Sequence, residues 1–226
     1  MSVFNDLINI WKSDDLLSQA WDDSIKMLEL SEELFLESIS CLKTGEKNKV
    51  ISLLKEKDQV INQYQRDVRK KVVTHFSINQ NNVELNSALV LINLVVDVER
   101  IGDYCKNILD LSKAYPGEFD VSEFNEQLDS VESEVTNRFK ETISIISKND
   151  ESAAQGHLSS YRKEIGKVCD KIVSDCVQGK IKINPEGNTA ALALYSRYLK
   201  RIAAHLNNVS SVIINPIEMV GYNIID

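Results

Sequence analysis

The run from Val83 to the break at Tyr115-Pro116-Gly117 leaves the chain few ways to fold. Its first half, Leu89 to Val96, is apolar almost all round. A helix of that kind is stable only when it is covered on most sides, as at the centre of a bundle. The second half, Asp97 to Asp110, has a different pattern. On a helix that turns about 100° per residue, Glu99 and Asp103 lie about 40° apart, with Asn107 about 40° further round. Leu85, Leu89, Ile92 and Val96 lie above them on the same stripe, whereas Val98, Ile101, Cys105 and Ile108 form a separate apolar face. The spacing therefore predicts that two carboxylates and an amide continue the line of the core. Buried charge of that sort needs a partner.

Breakers are scarce elsewhere: 8 Gly and 3 Pro in 226 residues predict an all-α chain. Phe4, Leu7, Ile8 and Trp11 predict a short amphipathic helix over 1–14, closed by Ser13-Asp14-Asp15. A helix follows from Leu16 to Lys43 and stops at Thr44-Gly45. The next runs from Lys47 to about Phe76, and the apolar run described above is the third. Residues 15–115 thus read as an antiparallel three-helix unit. After Pro116-Gly117 the plan returns. Helices are expected at Ser122–Lys148, Glu151–Cys176 and Thr189–Ile214, making a second unit over 120–214. Residues 215–226 read as a tail.

A net charge of -8 argues against a nucleic-acid binder. No apolar run is long enough to span a bilayer. The N-terminus lacks the basic start and apolar block of a secretory signal. Cys41, Cys105, Cys169 and Cys176 form no CxxC pair and fall on predicted helices, so they read as reduced core thiols of a cytoplasmic protein.

The two units also match in their residues. Glu99-Arg100-Ile101-Gly102-Asp103-Tyr104, with Asn107 and Ile108, aligns with Lys200-Arg201-Ile202-Ala203-Ala204-His205, with Asn208 and Val209, 101 positions later. The segment ERIGDYCKNI resembles the signature of the PhoU family, two tandem three-helix bundles with an E(D)xxxD motif on the third helix of each. Glu56-Lys57-Asp58 and Asn62 resemble the family's ExDxxID pattern, with Asn in place of the last Asp. The resemblance spans residues 16–214. It implies a non-enzymatic cytoplasmic regulator of phosphate uptake and signalling. It also implies a carboxylate-held metal ion and, as partners, a phosphate transporter at the membrane's cytoplasmic face and its sensor kinase. That transporter is of the ABC type or a sodium–phosphate cotransporter. Membrane association would be peripheral at most, and self-association is left open.

Carboxylates at i and i+4 have Cβ atoms roughly 6 Å apart and repel unless a cation lies between them. Glu99 and Asp103 are the expected metal ligands, with Asn107, Glu56 and Asp58 as further ligands or supports. All-oxygen ligation suits magnesium, calcium or manganese, and iron as well, better than zinc, whereas the resemblance implies iron, zinc or magnesium. In the second unit Lys200 and Ala204 stand where the acids should be, so a metal is expected in the first unit only. Arg197, Lys200 and Arg201 read there as a basic patch for an anion or a partner. No residues read as catalytic. Two alternatives stay open: a carboxylate-bundle metalloenzyme, and a helical scaffold without metal.

Overall fold

The structure is a computed structural model that describes residues 15–45, 48–78, 84–161, 165–183, 187–215 and 219–220. The expected helix over 1–14 and most of the tail lie outside the described residues. Seven α-helices are described: α1 (Leu16–Thr44), α2 (Lys49–Ile78), α3 (Leu85–Ala114), α4 (Asn125–Lys148), α5 (Glu151–Tyr161), α6 (Lys167–Val177) and α7 (Gly187–Ser211). A 3-10 turn at Ser122–Phe124 leads into α4. There is no strand among the described residues.

The ends of α1 follow from its sequence. The Asp15 carboxylate accepts the backbone N–H groups of Leu17 and Ser18 at 2.9 and 3.0 Å, filling two of the bonds a helix start leaves open. Gly45 closes the helix with φ +67°, and a Cβ there would come within 2.7 Å of the Gly117 carbonyl oxygen. The two glycine breaks therefore pack backbone to backbone, beside a Phe119 N–H to Leu42 carbonyl bond. This brings the link between the units against the first turn of the fold.

Helices α1, α2 and α3 pack on one another, and α7 packs on α4, α5 and α6. The units join where α3 meets α7 and where α1 meets α4. Apolar side chains from all seven helices form one continuous core. Phe35 of α1 stacks on Phe139 of α4 with ring centroids 5.1 Å apart. Their contact lies on the seam between units.

Two expectations are corrected. First, the helix expected over Glu151–Cys176 is not α-helical throughout: residues 165–166 form a π turn before α6. Helix α5 is also held from α4. Arg138, fully buried, donates from Nη1 to the His157 carbonyl at 3.0 Å and from Nη2 to Ser160 Oγ at 2.5 Å. Its guanidinium thus binds the last turn of α5. Second, the stripe Leu85–Leu89–Ile92–Val96 is not the core line. Leu85 and Leu89 are exposed, while Ala88, Leu91, Val95, Val98, Ile101, Cys105 and Ile108 are buried. Helix α3 is covered by α1, α2 and α7, and this stripe faces the remaining side.

Candidate metal centre between α2 and α3

The carboxylates meet where α2 crosses α3 closely. Gly102 makes the approach feasible: a Cβ at this position would lie 3.3 Å from Asp58 Oδ1 and 3.5 Å from Ile61. Asp58, on α2, is buried there at 5% exposure. Glu99 and Asp103, one turn apart on α3, are half-buried beside it. Glu56 points to solvent, and Asn107 is half-buried one turn beyond Asp103.

Lys106 supplies the cation. Its Nζ donates to Asp58 Oδ2 at 2.9 Å and to Asp103 Oδ1 at 3.0 Å. Asn62 Nδ2 donates to Asp58 Oδ2 at 3.3 Å, and Arg100 Nη1 to Asp103 Oδ2 at 3.0 Å. Arg100 Nε stands 3.8 Å from Glu99 Oε2. Burial works against the Lys106 ammonium, yet its bonds to Asp58 and Asp103 hold its pKa above the ordinary lysine value. Glu99 moves in the unfavourable sense. Burial, then the neighbouring charge of Asp103, raise its pKa, with Asp58 adding to the rise and Arg100 and Lys106 opposing it. Three acids thus face two bases. By linkage, a carboxyl raised in the folded state favours folding below its unfolded pKa, and that contribution is lost as pH rises through the folded pKa. At neutral pH the ionised Glu99 is a local cost.

All three are oxygen donors, the kind a hard cation takes, and the cluster holds one acid more than its bases balance. Among the described residues only Asp15, His75 and Glu84 bring three ligand atoms within 4.8 Å of one another, so Asp58, Glu99 and Asp103 would have to close on a cation to hold it. The position between Asp58 and Asp103 is occupied by Lys106, whose side chain is a third exposed. A metal ion at these carboxylates would meet the Lys106 ammonium there. Sequence reasoning missed Lys106, although its i+3 offset from Asp103 was visible.

The equivalent place in the second unit is an ion pair. Lys200, aligned with Glu99, donates to both oxygens of Asp170 on α6 at 2.5 and 2.6 Å. Arg201 turns across the seam, where Nε donates to the Tyr104 hydroxyl at 3.1 Å and the guanidinium stacks on that ring. Arg197 is exposed. Lys200 and Arg201 thus pair with different elements, α6 and α3. The seam itself holds a polar cluster that the sequence reading did not find. Asp97 Oδ1 lies 2.6 Å from His205 Nδ1 and accepts from Asn208 Nδ2 at 3.0 Å.

One other cleft, of about 350 Å³, is lined by Glu141, Ser144, Gly156, His157 and Ser160. Burial, then the charge of Arg138, push His157 down to about 4. Its Nε2 faces Thr142 Oγ1 at 3.5 Å, and Thr142 is fully buried. A hydroxyl with no access to substrate is not a nucleophile, so this geometry offers no hydrolase site.

Residues 25–111 match the family model described as the PhoU domain. The fold is that of solved PhoU proteins. The structure of PhoU from Pseudomonas aeruginosa is similar with a TM-score of 0.76 at 18% identity, over 88% of this chain and 95% of that one. The phosphate transport system regulatory protein PhoU from Streptococcus pneumoniae is similar with a TM-score of 0.73 at 16% identity, over 87% and 92%. No curated protein sequence matches this chain.

Proposed function

We propose that this chain, with a PhoU domain over residues 25–111 and the PhoU fold along most of its length, is a non-enzymatic regulator of phosphate transport. One observation carries the reading. The matched domain contains both sides of the carboxylate cluster, Asp58 on α2 and Glu99, Asp103 and Lys106 on α3. The partner would be a phosphate transporter, of the ABC type or a sodium–phosphate cotransporter, met from the cytoplasmic side. The transporter's sensor kinase would be a second contact. No described helix is long and apolar enough to cross a membrane, which agrees with a peripheral role.

The metal would be a hard dication or iron, bound by the first unit in exchange for Lys106. When bound, it would neutralise the surplus acid and draw α2 and α3 together. Asp58 and Asp103 would keep the same orientation with either cation. Release of Lys106 would add an exposed positive charge to the α2–α3 face. The enzyme alternative has less support, because no histidine joins this cluster among the described residues.

Radiolabelled phosphate uptake by host cells tests the regulatory reading. Cells lacking the chain should show an altered dependence of uptake on external phosphate, restored by the wild-type chain. Identical uptake curves with and without it, in both replete and starved cells, would overturn the reading.

A further inference from the structure

A second group of ligating side chains lies at the far end of the first unit. The start of α1, the end of α2 and the start of α3 meet there. Asp15, His75 and Glu84 each present one ligand atom, and these atoms all lie within 4.8 Å of one another. His75, from the last turn of α2, is 3% exposed. Its Nε2 lies 3.0 Å from Glu84 Oε2. The imidazole packs edge-on against Phe76 at 5.1 Å, which fixes its direction. Asp15 uses Oδ1 for both bonds of the α1 cap, so the cap does not engage its other oxygen. Seventeen residues of α2 separate His75 from Asp58, about 25 Å of helix. The two groups are therefore separate.

From this geometry we infer a second metal site, in which Asp15, His75 and Glu84 bind a zinc-type dication. The donor chemistry differs from that of the α2–α3 cluster. One imidazole and two carboxylates suit zinc or a similar first-row dication, whereas an all-oxygen set suits harder ions. Asp15 and Glu84 are the N-cap residues of α1 and α3, and His75 lies in the last turn of α2. A bound ion would cross-link them. The two carboxylates bring the charge that a dication needs, and the buried ring brings a preset direction. Three protein ligands leave positions for water.

Zinc titration of the chelator-stripped full chain, followed by zinc-edge X-ray absorption, tests this site. Glu99→Gln/Asp103→Asn is carried in every sample, so that the first cluster contributes nothing. About one zinc per chain, with an imidazole scattering signature, is expected. His75→Gln should abolish that signature, and Glu84→Gln should weaken binding tenfold or more. Asp15→Asn keeps a competent helix cap, so its helix content by circular dichroism should hold while zinc affinity falls. Zinc at a hundredfold above its Kd should raise Tm by about 5 °C or more. Absence of zinc binding at micromolar concentration would overturn the inference, as would binding unchanged in both His75→Gln and folded Asp15→Asn. Either result would leave the three side chains as a staple of helix ends.

Discussion

Lys106→Met should raise the affinity of the α2–α3 cluster for manganese or magnesium about tenfold, while lowering the stability of the metal-free chain. Both effects come from one displaced ammonium. In the wild type, Lys106 bonds Asp58 and Asp103 at 2.9 and 3.0 Å, so an incoming cation must break both contacts. Methionine keeps much of the apolar stem and removes the competitor. A unit charge at about 4 Å is worth about 4 kcal/mol at an effective dielectric of 20, and partial exposure reduces this to about 1–2 kcal/mol. That range corresponds to about five- to thirtyfold in binding. Without metal the same term appears as a loss, because Asp58 is then buried with only Asn62 beside it. A Tm lower by about 3–6 °C without metal, recovered on adding manganese, is the expected pair of readings. Calorimetric titration and thermal melts of both proteins measure them. Unchanged affinity would mean that Lys106 and the ion do not compete.

Lys43→Met should be a damaging polar change at the seam between the units. Lys43, near the end of α1, bonds Asp129 at 2.6 Å and Glu132 at 2.5 Å. The other Glu132 oxygen accepts the hydroxyl of Tyr195, a fully buried ring on α7, at 2.7 Å. One carboxylate thus links α1, α4 and α7. Burial raises the Glu132 pKa despite the bonds from Lys43 and Tyr195. Removing the lysine leaves a mostly buried carboxylate with one neutral donor. Breaking a fully buried pair costs about 3–5 kcal/mol, and exposure of the lysine reduces this to about 2 kcal/mol, a Tm fall of about 4–8 °C. The pH dependence has a defined sign. A carboxyl with a raised folded pKa contributes stability below its unfolded pKa, near 4.3, and loses it as pH rises through the folded value. The deficit of Lys43→Met should therefore shrink as pH falls from 7 towards 4.5. Lys43→Met/Glu132→Leu/Tyr195→Phe removes the charge and both dependent groups, and should recover most of the loss at neutral pH. A deficit independent of pH would assign the damage to packing.

The helices of the first unit were legible because their ends are set locally. The Asp15 cap and the Gly45 stop are both features of adjacent sequence. The π turn before α6 was not legible, and neither was the buried Arg138 that reaches α5 from another helix. The all-round apolar character of Leu89–Val96 showed that α3 is central, but could not show which flank stays open. Three neighbours cover it, and periodicity does not report their directions. Glu99 and Asp103 were found from their spacing. The burial of Asp58 was not, because it follows from the close helix approach that Gly102 allows. The repeat placed Arg201 at the position of Arg100. Its contact with Tyr104 arises from packing between units, which an internal alignment does not contain.

Calorimetric titration of manganese into the chelator-stripped full chain, in the His75→Gln background so that the other histidine-bearing group is silent, measures the α2–α3 cluster directly. The account predicts binding of about one ion per chain, lost in Glu99→Gln/Asp103→Asn and strengthened in Lys106→Met. No heat of binding in any of the three proteins, with melting temperatures unmoved by manganese, magnesium or iron, would contradict it.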